Sequence, residues 1–286
     1  MTYPVIRNEN RETLKITDAL LGEMTHLLRE NGYVLLRNFD VDMAAFSATI
    51  QALCSNVTFD PARAYSAQNV QKVDAGTDAV GMHIENGNTP FPPDLVSFFC
   101  AKGAVEGSQT TVCDGAKVFD QLTAQQRQTW SRPIIMTRNL PEVVWKRYVA
   151  TEHPAIECEE HVTEDHLSQI LRAVPGQSGT LGDDGTLRYG LTINPVIRSK
   201  LSPHAAFANA ILGPSFNYEA PHYQFENGSV LSDDQVTDIA TLVERNTHEI
   251  NWQDGDVIVI DNKRVMHGRR AIIDADRQLF IGMGSL

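Results

Sequence analysis

The sequence contains no apolar run approaching the roughly 18–20 residues needed to cross a bilayer. Its opening stretch, MTYPVIRNENRETLK, lacks the apolar segment of a secretory signal. Both absences point to a cytoplasmic protein with no membrane partner. Cysteine is scarce: Cys54, Cys100, Cys113 and Cys158 form no CxxC pair and show no regular spacing. That argues against a disulfide framework or a zinc ribbon and fits free thiols in a reducing compartment. Positive charge is in deficit, with 24 Lys and Arg against 36 Asp and Glu and a formal net charge of −12. Such a surface repels phosphate backbones, so nucleic acid is not an expected partner. No internal repeat or low-complexity tract is visible, which argues against a solenoid.

What remains is an ordinary globular chain of 286 residues, long enough for one large domain carrying insertions. It opens with a helix, in which Leu20, Leu21, Met24, Leu27 and Leu28 recur at helical spacing after a cap at Thr17. Asn31-Gly32 closes that helix, and Tyr33–Leu36 reads as a short buried strand ending at Arg37. A second helix carries Phe46, Ile50 and Leu53. From residue 95 the pattern turns to strands, 95–100 and 109–113, followed by a helical stretch over roughly 116–130. Residues 138–186 are rich in charge, Pro and Gly, with one predicted helix at 163–174 behind a Thr163 cap. Residues 187–193 read as a strand. Ser232 and Gln235 form a capping box ahead of an amphipathic helix. Strands at 248–252, 256–260 and 278–284 end the chain. Helices flanking short early and late strands indicate an α+β protein with a β core.

The sharpest local feature is Gly81-Met82-His83-Ile84-Glu85-Asn86. In extended backbone, residues i and i+2 share a face, so His83 and Glu85 can offer an imidazole nitrogen and a carboxylate oxygen to one ion. Alone this spacing is weak, because such pairs arise often by chance. The second feature is the segment 256–269, an apolar strand and turn followed by His267. Alone, His267 reads as a turn or core histidine. Together, two histidines and one carboxylate would make a facial triad, which leaves three positions open on an octahedral iron(II). Zinc more often takes a closed tetrahedral set, or three ligands and a water.

The HxE pair, the segment Trp252-Gln-Asp-Gly255-Asp256 with Asp261-Asn262 and His267-Gly268-Arg269, and the opening ENGYVLLRNF (30–39) resemble the taurine dioxygenase and clavaminate synthase-like family. Gly107-Ser108-Gln109-Thr110 stands where that family has a Gly-Gly-x-Thr turn. The likeness spans about two-thirds of the chain and is poor over 138–230. It implies a double-stranded β-helix (jelly-roll, cupin-like) core flanked by helices, forming a single domain over 1–286. Within it, approximately 138–230 would be an insertion that supplies lid and substrate pocket, and 60–82 would join the lid.

The resemblance also implies iron(II) held by His83, Glu85 and His267, with 2-oxoglutarate and O₂ as cosubstrates. Thr110 and Arg277 would bind the far carboxylate of 2-oxoglutarate, a role for which Arg269 and Arg270 compete. The second arginine of the family pattern is replaced here by Ile281. The implied reaction converts 2-oxoglutarate to succinate and CO₂ while an unactivated C–H of a small substrate is hydroxylated, desaturated or cyclised. Related halogenases carry Gly or Ala at the carboxylate position, so Glu85 argues for hydroxylation. The expected substrate is an amino acid or natural-product intermediate, free or carrier-bound, with Asn86, Arg147, Arg188 and Arg198 as candidate contacts. The acidic stretch 157–161 with His153 and His166 lacks one-face periodicity and reads as a solvated lid. Two other readings compete: a cupin-type metalloenzyme, isomerase or hydrolase, that does not use 2-oxoglutarate, and a binding module whose histidines are structural.

Overall fold

The computed structural model describes residues 4–60, 63–73, 76–153, 155–214 and 219–286. In chain order the first half comprises β1 (Val5–Arg7), α1 (Asp18–Asn31), β2 (Tyr33–Arg37), α2 (Met43–Leu53), β3 (Asn56–Thr58), β4 (Tyr65–Ala67), β5 (Val70–Lys72), β6 (Val80–His83), β7 (Leu95–Lys102) and β8 (Thr110–Asp114). Then follow α3 (Gly115–Gln121), α4 (Ala124–Trp130), β9 (Ile134–Leu140), α5 (Glu142–Glu152), α6 (Glu164–Ala173), β10 (Gln177–Leu181) and β11 (Leu187–Ile193). The last elements are β12 (Val196–Arg198), β13 (Ala205–Phe207), β14 (His222–Phe225), α7 (Asp233–Arg245), β15 (Thr247–Ile250), β16 (Val257–Asp261), β17 (Val265–Arg269) and β18 (Gln278–Ser285).

Local chemistry fixes the element ends. The Thr17 hydroxyl accepts from the Leu20 amide at 3.2 Å and starts α1. Gly32 ends it in the left-handed region (φ 79°), its N–H bonded to the Leu28 carbonyl at 2.8 Å, a conformation that glycine adopts without steric penalty. Arg264 donates to the free carbonyls of Arg29 and Glu30 and pairs with Asp114 at 2.7 Å, tying the helix end to the sheets. The helical stretch expected over 116–130 is two helices, because Thr123 opens a new capping box with Gln126. The Ser232 and Gln235 box starts α7 as the sequence indicates.

The architecture is a mixed α+β fold. A large sheet runs β1-β2-β16-β7-β18-β5-β4, with β3 also on β18, and a smaller one runs β15-β8-β17-β6. All pairs are antiparallel except β1 with β2. Strand alternation divides the apolar residues cleanly. Leu35, Val96, Phe98, Ile258, Ile260, Ile281 and Met283 of the large sheet pack with Val112, Ile250 and Val265 of the small one. The alternate residues Val34, Leu36, Leu95, Phe99, Val257 and Val259 face Met24 and Leu28 of α1 and Phe46 and Ile50 of α2. At roughly 25 cal/mol per Å², a buried aliphatic residue contributes about 1.5–3 kcal/mol, so this two-sided burial holds the large sheet.

Residues 134–225 depart from the expectation of a charged insertion with one helix. They build a third sheet, β10-β11-β9-β14, and a β12-β13 hairpin. Helices α5 and α6 pack there through Trp145, Val149, Leu167 and Ile170, in a core shared with Met82, Ile84, Cys113 and Met266. No helix among the described residues is long and apolar enough to cross a membrane.

Candidate active site

Strands β6 and β17 pair antiparallel with His83 opposite His267. Their rings lie 4.5 Å apart, and Phe98 from the large sheet meets His267 edge-on at 5.2 Å. The close approach needs Gly268, where a Cβ would stand 2.6 Å from the Val80 carbonyl oxygen. Strand β6 stops at His83, so Glu85 opens a turn instead of continuing the expected strand. Asn262 holds it there. Its Oδ1 accepts from the Glu85 amide at 2.8 Å, and its Nδ2 donates to the carbonyls of Glu85 and Pro93 at 3.1 and 3.0 Å.

The result is one cluster. Ligand atoms of His83, Glu85 and His267 all lie within 4.8 Å of one another, and no other such group of three occurs among the described residues. Glu85 Oε2 is 3.2 Å from His267 Nε2 and 3.9 Å from His83 Nε2. Neighbouring ligands on a metal with bonds of about 2.1 Å are separated by about 3 Å, so the spacing suits a shared ion. His83 Nδ1 lies 2.9 Å from the Gly81 carbonyl. A proton donated there leaves the Nε2 lone pair facing Glu85. Burial, followed by the neighbouring His267, pushes the His83 imidazole down to about 4, so it is neutral, the metal-binding form, at physiological pH. Burial alone would raise the Glu85 carboxyl. The Arg63 guanidinium and the two imidazoles outweigh that and hold it well below the usual carboxylate range.

The two residues expected to contact 2-oxoglutarate, Thr110 and Arg277, lie at the start of β8 and just before β18. Thr110 is opposite Arg269 in the β8–β17 ladder, two residues from Val112, so it points between the sheets. Its Oγ1 accepts from Trp252 Nε1 at 3.0 Å. Because indole only donates, the threonine hydrogen is left to donate elsewhere. Arg277 precedes β18 and donates from Nη1 to the Ser108 carbonyl at 2.8 Å. With Ser108, Trp252, Cys100, Ile250 and Leu279 it lines a cavity of 160 Å³. Burial and then Arg269 push its pKa down to about 10, which leaves it cationic at neutral pH. Of the competitors, Arg270 is a surface residue paired with Glu244 and Glu249. Arg269 is buried and donates to the carbonyls of Gly76 and Asp78.

The expected substrate contacts divide. Asn86 adjoins Glu85, in the left-handed region with φ 54°. Arg147, Arg188 and Arg198 are exposed, on α5, β11 and β12. Arg147 pairs with Glu159 at 2.9 Å, and Arg198 donates to the Pro203 carbonyl. An arginine with solvent on one side and a partner on the other stays where its charge is hydrated. The structure adds three residues to which the sequence reading assigned no role: Arg63, paired with Glu85 at 2.7 Å, the clamp Asn262, and Trp252 behind Thr110. Asn262 and Trp252 lie in the quoted motif, whereas nothing local marks Arg63.

Non-haem iron dioxygenases that consume 2-oxoglutarate are the class that this fold and donor set define. The sequence model of the family described as "Taurine catabolism dioxygenase TauD, TfdA family" matches residues 8–283, and the chain belongs to that family. It is a 2-oxoglutarate-dependent dioxygenase that uses iron(II), which sets aside the cupin-type metalloenzyme and binding-module readings. Among curated proteins, the dapdiamide synthesis protein DdaC of Enterobacter agglomerans is 22% identical over 289 residues, covering 90% of this chain and 85% of that one. A taurine dioxygenase from Burkholderia xenovorans shares the fold at a TM-score of 0.63 and 12% identity, over 99% of this chain and 86% of its own. An asparagine oxygenase solved with Fe(II), 2S,3S-3-hydroxyasparagine and succinate does so at 0.59 and 13%, over 93% and 79%.

Proposed function

We propose that His83, Glu85 and His267 hold the iron, and that Thr110 and Arg277 bind the far carboxylate of 2-oxoglutarate. The substrate in this proposal is a free or carrier-bound amino acid or a natural-product intermediate, hydroxylated at an unactivated C–H. The observation that carries it is the convergence of two imidazoles and one carboxylate on a single point between two sheets, with a threonine in the adjoining strand β8 and an arginine bonded to the Ser108 carbonyl just before that strand. Bound iron(II) supplies the oxidising chemistry with 2-oxoglutarate and O₂.

The residues do the rest. His83 presents a neutral nitrogen, His267 a second imidazole nitrogen, and Glu85 brings the one carboxylate. Arg277 and Thr110 place two donors in reach of a carboxylate, the guanidinium by charge and the hydroxyl by the orientation that Trp252 imposes. The apolar residues that line the inter-sheet core exclude water from this end of the site.

The two facing sheets are, in this reading, the jelly-roll of a single domain over 1–286. Residues 138–230 form its lid and pocket insertion, with Asn86 at the pocket edge. The amino-acid class is supported by the likeness to an asparagine oxygenase that holds 2S,3S-3-hydroxyasparagine, and the natural-product class by the likeness to a dapdiamide synthesis protein. A cytoplasmic place fits four cysteines that are all free thiols. The decisive experiment is a substrate screen, amino acids first, scored by succinate release above the uncoupled background. If no amino acid or amino-acid derivative raises that release, the substrate class is wrong.

A further inference from the structure

Arg63 lies 22 residues before Glu85, in no motif, yet its Nη2 donates to Glu85 Oε1 at 2.7 Å. Its Nε donates to Asp60 Oδ2 at 3.0 Å. The side chain is only 17% exposed. Burial would lower its pKa, but Glu85 and Asp60 together raise it, so it stays charged.

Asp60 and Arg63 are themselves fastened. The Arg63 amide donates to the Asp60 carbonyl at 3.1 Å. Gln71, 2% exposed, accepts from the Asp60 amide at 2.9 Å and donates to the carbonyls of Asp60 and Arg63 at 2.8 and 3.2 Å. Gln71 lies in β5 opposite Ile281 of β18, and Ile281 packs in the inter-sheet core. A continuous set of bonds thus runs from the large sheet through Gln71 and Asp60 to one oxygen of Glu85. These residues fall within the stretch 60–82 that the sequence suggested as part of the lid, and Arg63 reaches the candidate metal site.

We infer that Arg63 is a positioning residue that fixes Glu85 as a one-oxygen ligand, holding Oε1 so that Oε2 alone faces the two histidines. This rests on the proposed iron site. A carboxylate free to rotate can close both oxygens on a metal and occupy a position that the cosubstrates need. A carboxylate oxygen held in a charge-assisted bond to arginine cannot. The fork geometry matters because one guanidinium spans Asp60 and Glu85 at once, which a point-charge ammonium does not reproduce.

The sign of the effect separates positioning from charge. A guanidinium beside a dication repels it, so if charge were its whole contribution, removing Arg63 would tighten metal binding. The test is anaerobic calorimetric titration of the full chain with iron(II), followed by the visible charge-transfer band on adding 2-oxoglutarate. Circular dichroism melts check folding. Arg63→Met should weaken iron binding by about 10- to 100-fold, the usual range for an outer partner of a ligand, and diminish the band. Arg63→Lys, which keeps the charge, should remain weak. Asp60→Asn, which leaves Arg63 intact but loosens it, should fall between Arg63→Met and the wild type. Wild-type or tighter affinity with an unchanged band in Arg63→Met overturns the inference, as does full recovery in Arg63→Lys. If the wild type itself binds no iron, the proposed site falls as well, whereas a normal wild type beside a normal Arg63→Met removes this inference alone.

Discussion

Asn262 is fully buried, and its amide satisfies three backbone groups around the candidate ligand Glu85. Asn262→Ala removes all three bonds at once. The Glu85 amide and the Glu85 and Pro93 carbonyls are then left without the side chain that served them. A buried group that loses its partner costs about 1–3 kcal/mol. Partial relaxation and the entry of a water lower the sum for three groups to about 4 kcal/mol. For a chain of this size each kcal/mol moves the melting temperature by about 2–3 °C, so a loss of about 8–12 °C is expected in the metal-free protein. Iron binding should weaken too, because the turn that places Glu85 is no longer held. Asn262→Asp is the sharper control. It keeps an acceptor for the Glu85 amide but turns an oxygen on two carbonyls, so it should be at least as damaging. Thermal melts of metal-free wild type and variants, paired with iron titrations, measure both effects. If Asn262→Ala melted within about 3 °C of the wild type and bound iron equally well, the clamp would have no energetic role and the reasoning would fail.

Glu85→Ala should abolish substrate oxidation, since it removes the only carboxylate of the cluster; full product yield from that variant would dismiss Glu85 as a ligand. Arg277→Ala should raise the KM for 2-oxoglutarate about 10- to 100-fold, the worth of one or two hydrogen bonds to a charged group; an unchanged KM in a succinate assay would move the anion site elsewhere. Asp261 provides a pH test at a residue outside the proposed ligand set. It is 1% exposed, and burial pushes its carboxyl up from 3.8 to about 6. A raised acid pKa means that the folded state binds the proton more tightly. The associated stability is full below about pH 4 and is lost as pH rises through about 6. Asp261→Asn should therefore stabilise the protein at pH 8 by up to about 3 kcal/mol and bring no gain below about pH 4; an equal change at both pH values in denaturant melts would contradict the assignment.

Much of this protein could be read from its sequence, because the signals are local. The Thr17 cap and Gly32 stop bound α1, the Ser232 box starts α7, and the near-continuous apolar runs of β7, β16 and β18 specify strands buried on both faces. The cluster His83, Glu85 and His267 was also legible, but only jointly, since each residue alone has an ordinary structural explanation. Several motif residues proved to serve the scaffold. Asp256 of the Trp-x-x-Gly-Asp segment forms a buried ion pair with Arg37 at 2.6 Å, and Trp252 orients Thr110.

What the tertiary structure alone decided are contacts made across long sequence separations. The third sheet pairs strands from residues 134 to 225 whose individual patterns are short and interrupted by charge, so only their mutual burial reveals it. Arg147, Arg188 and Arg198 could be sorted from Arg63 only by exposure, which is a property of the packed chain. Arg63 itself has no local signature, because its meaning comes from an oxygen 22 residues away and from a glutamine held against β18. The sequence on its own determined which groups could bind iron. The packing of one sheet on the other decided which of them meet, and which neighbour fixes their orientation.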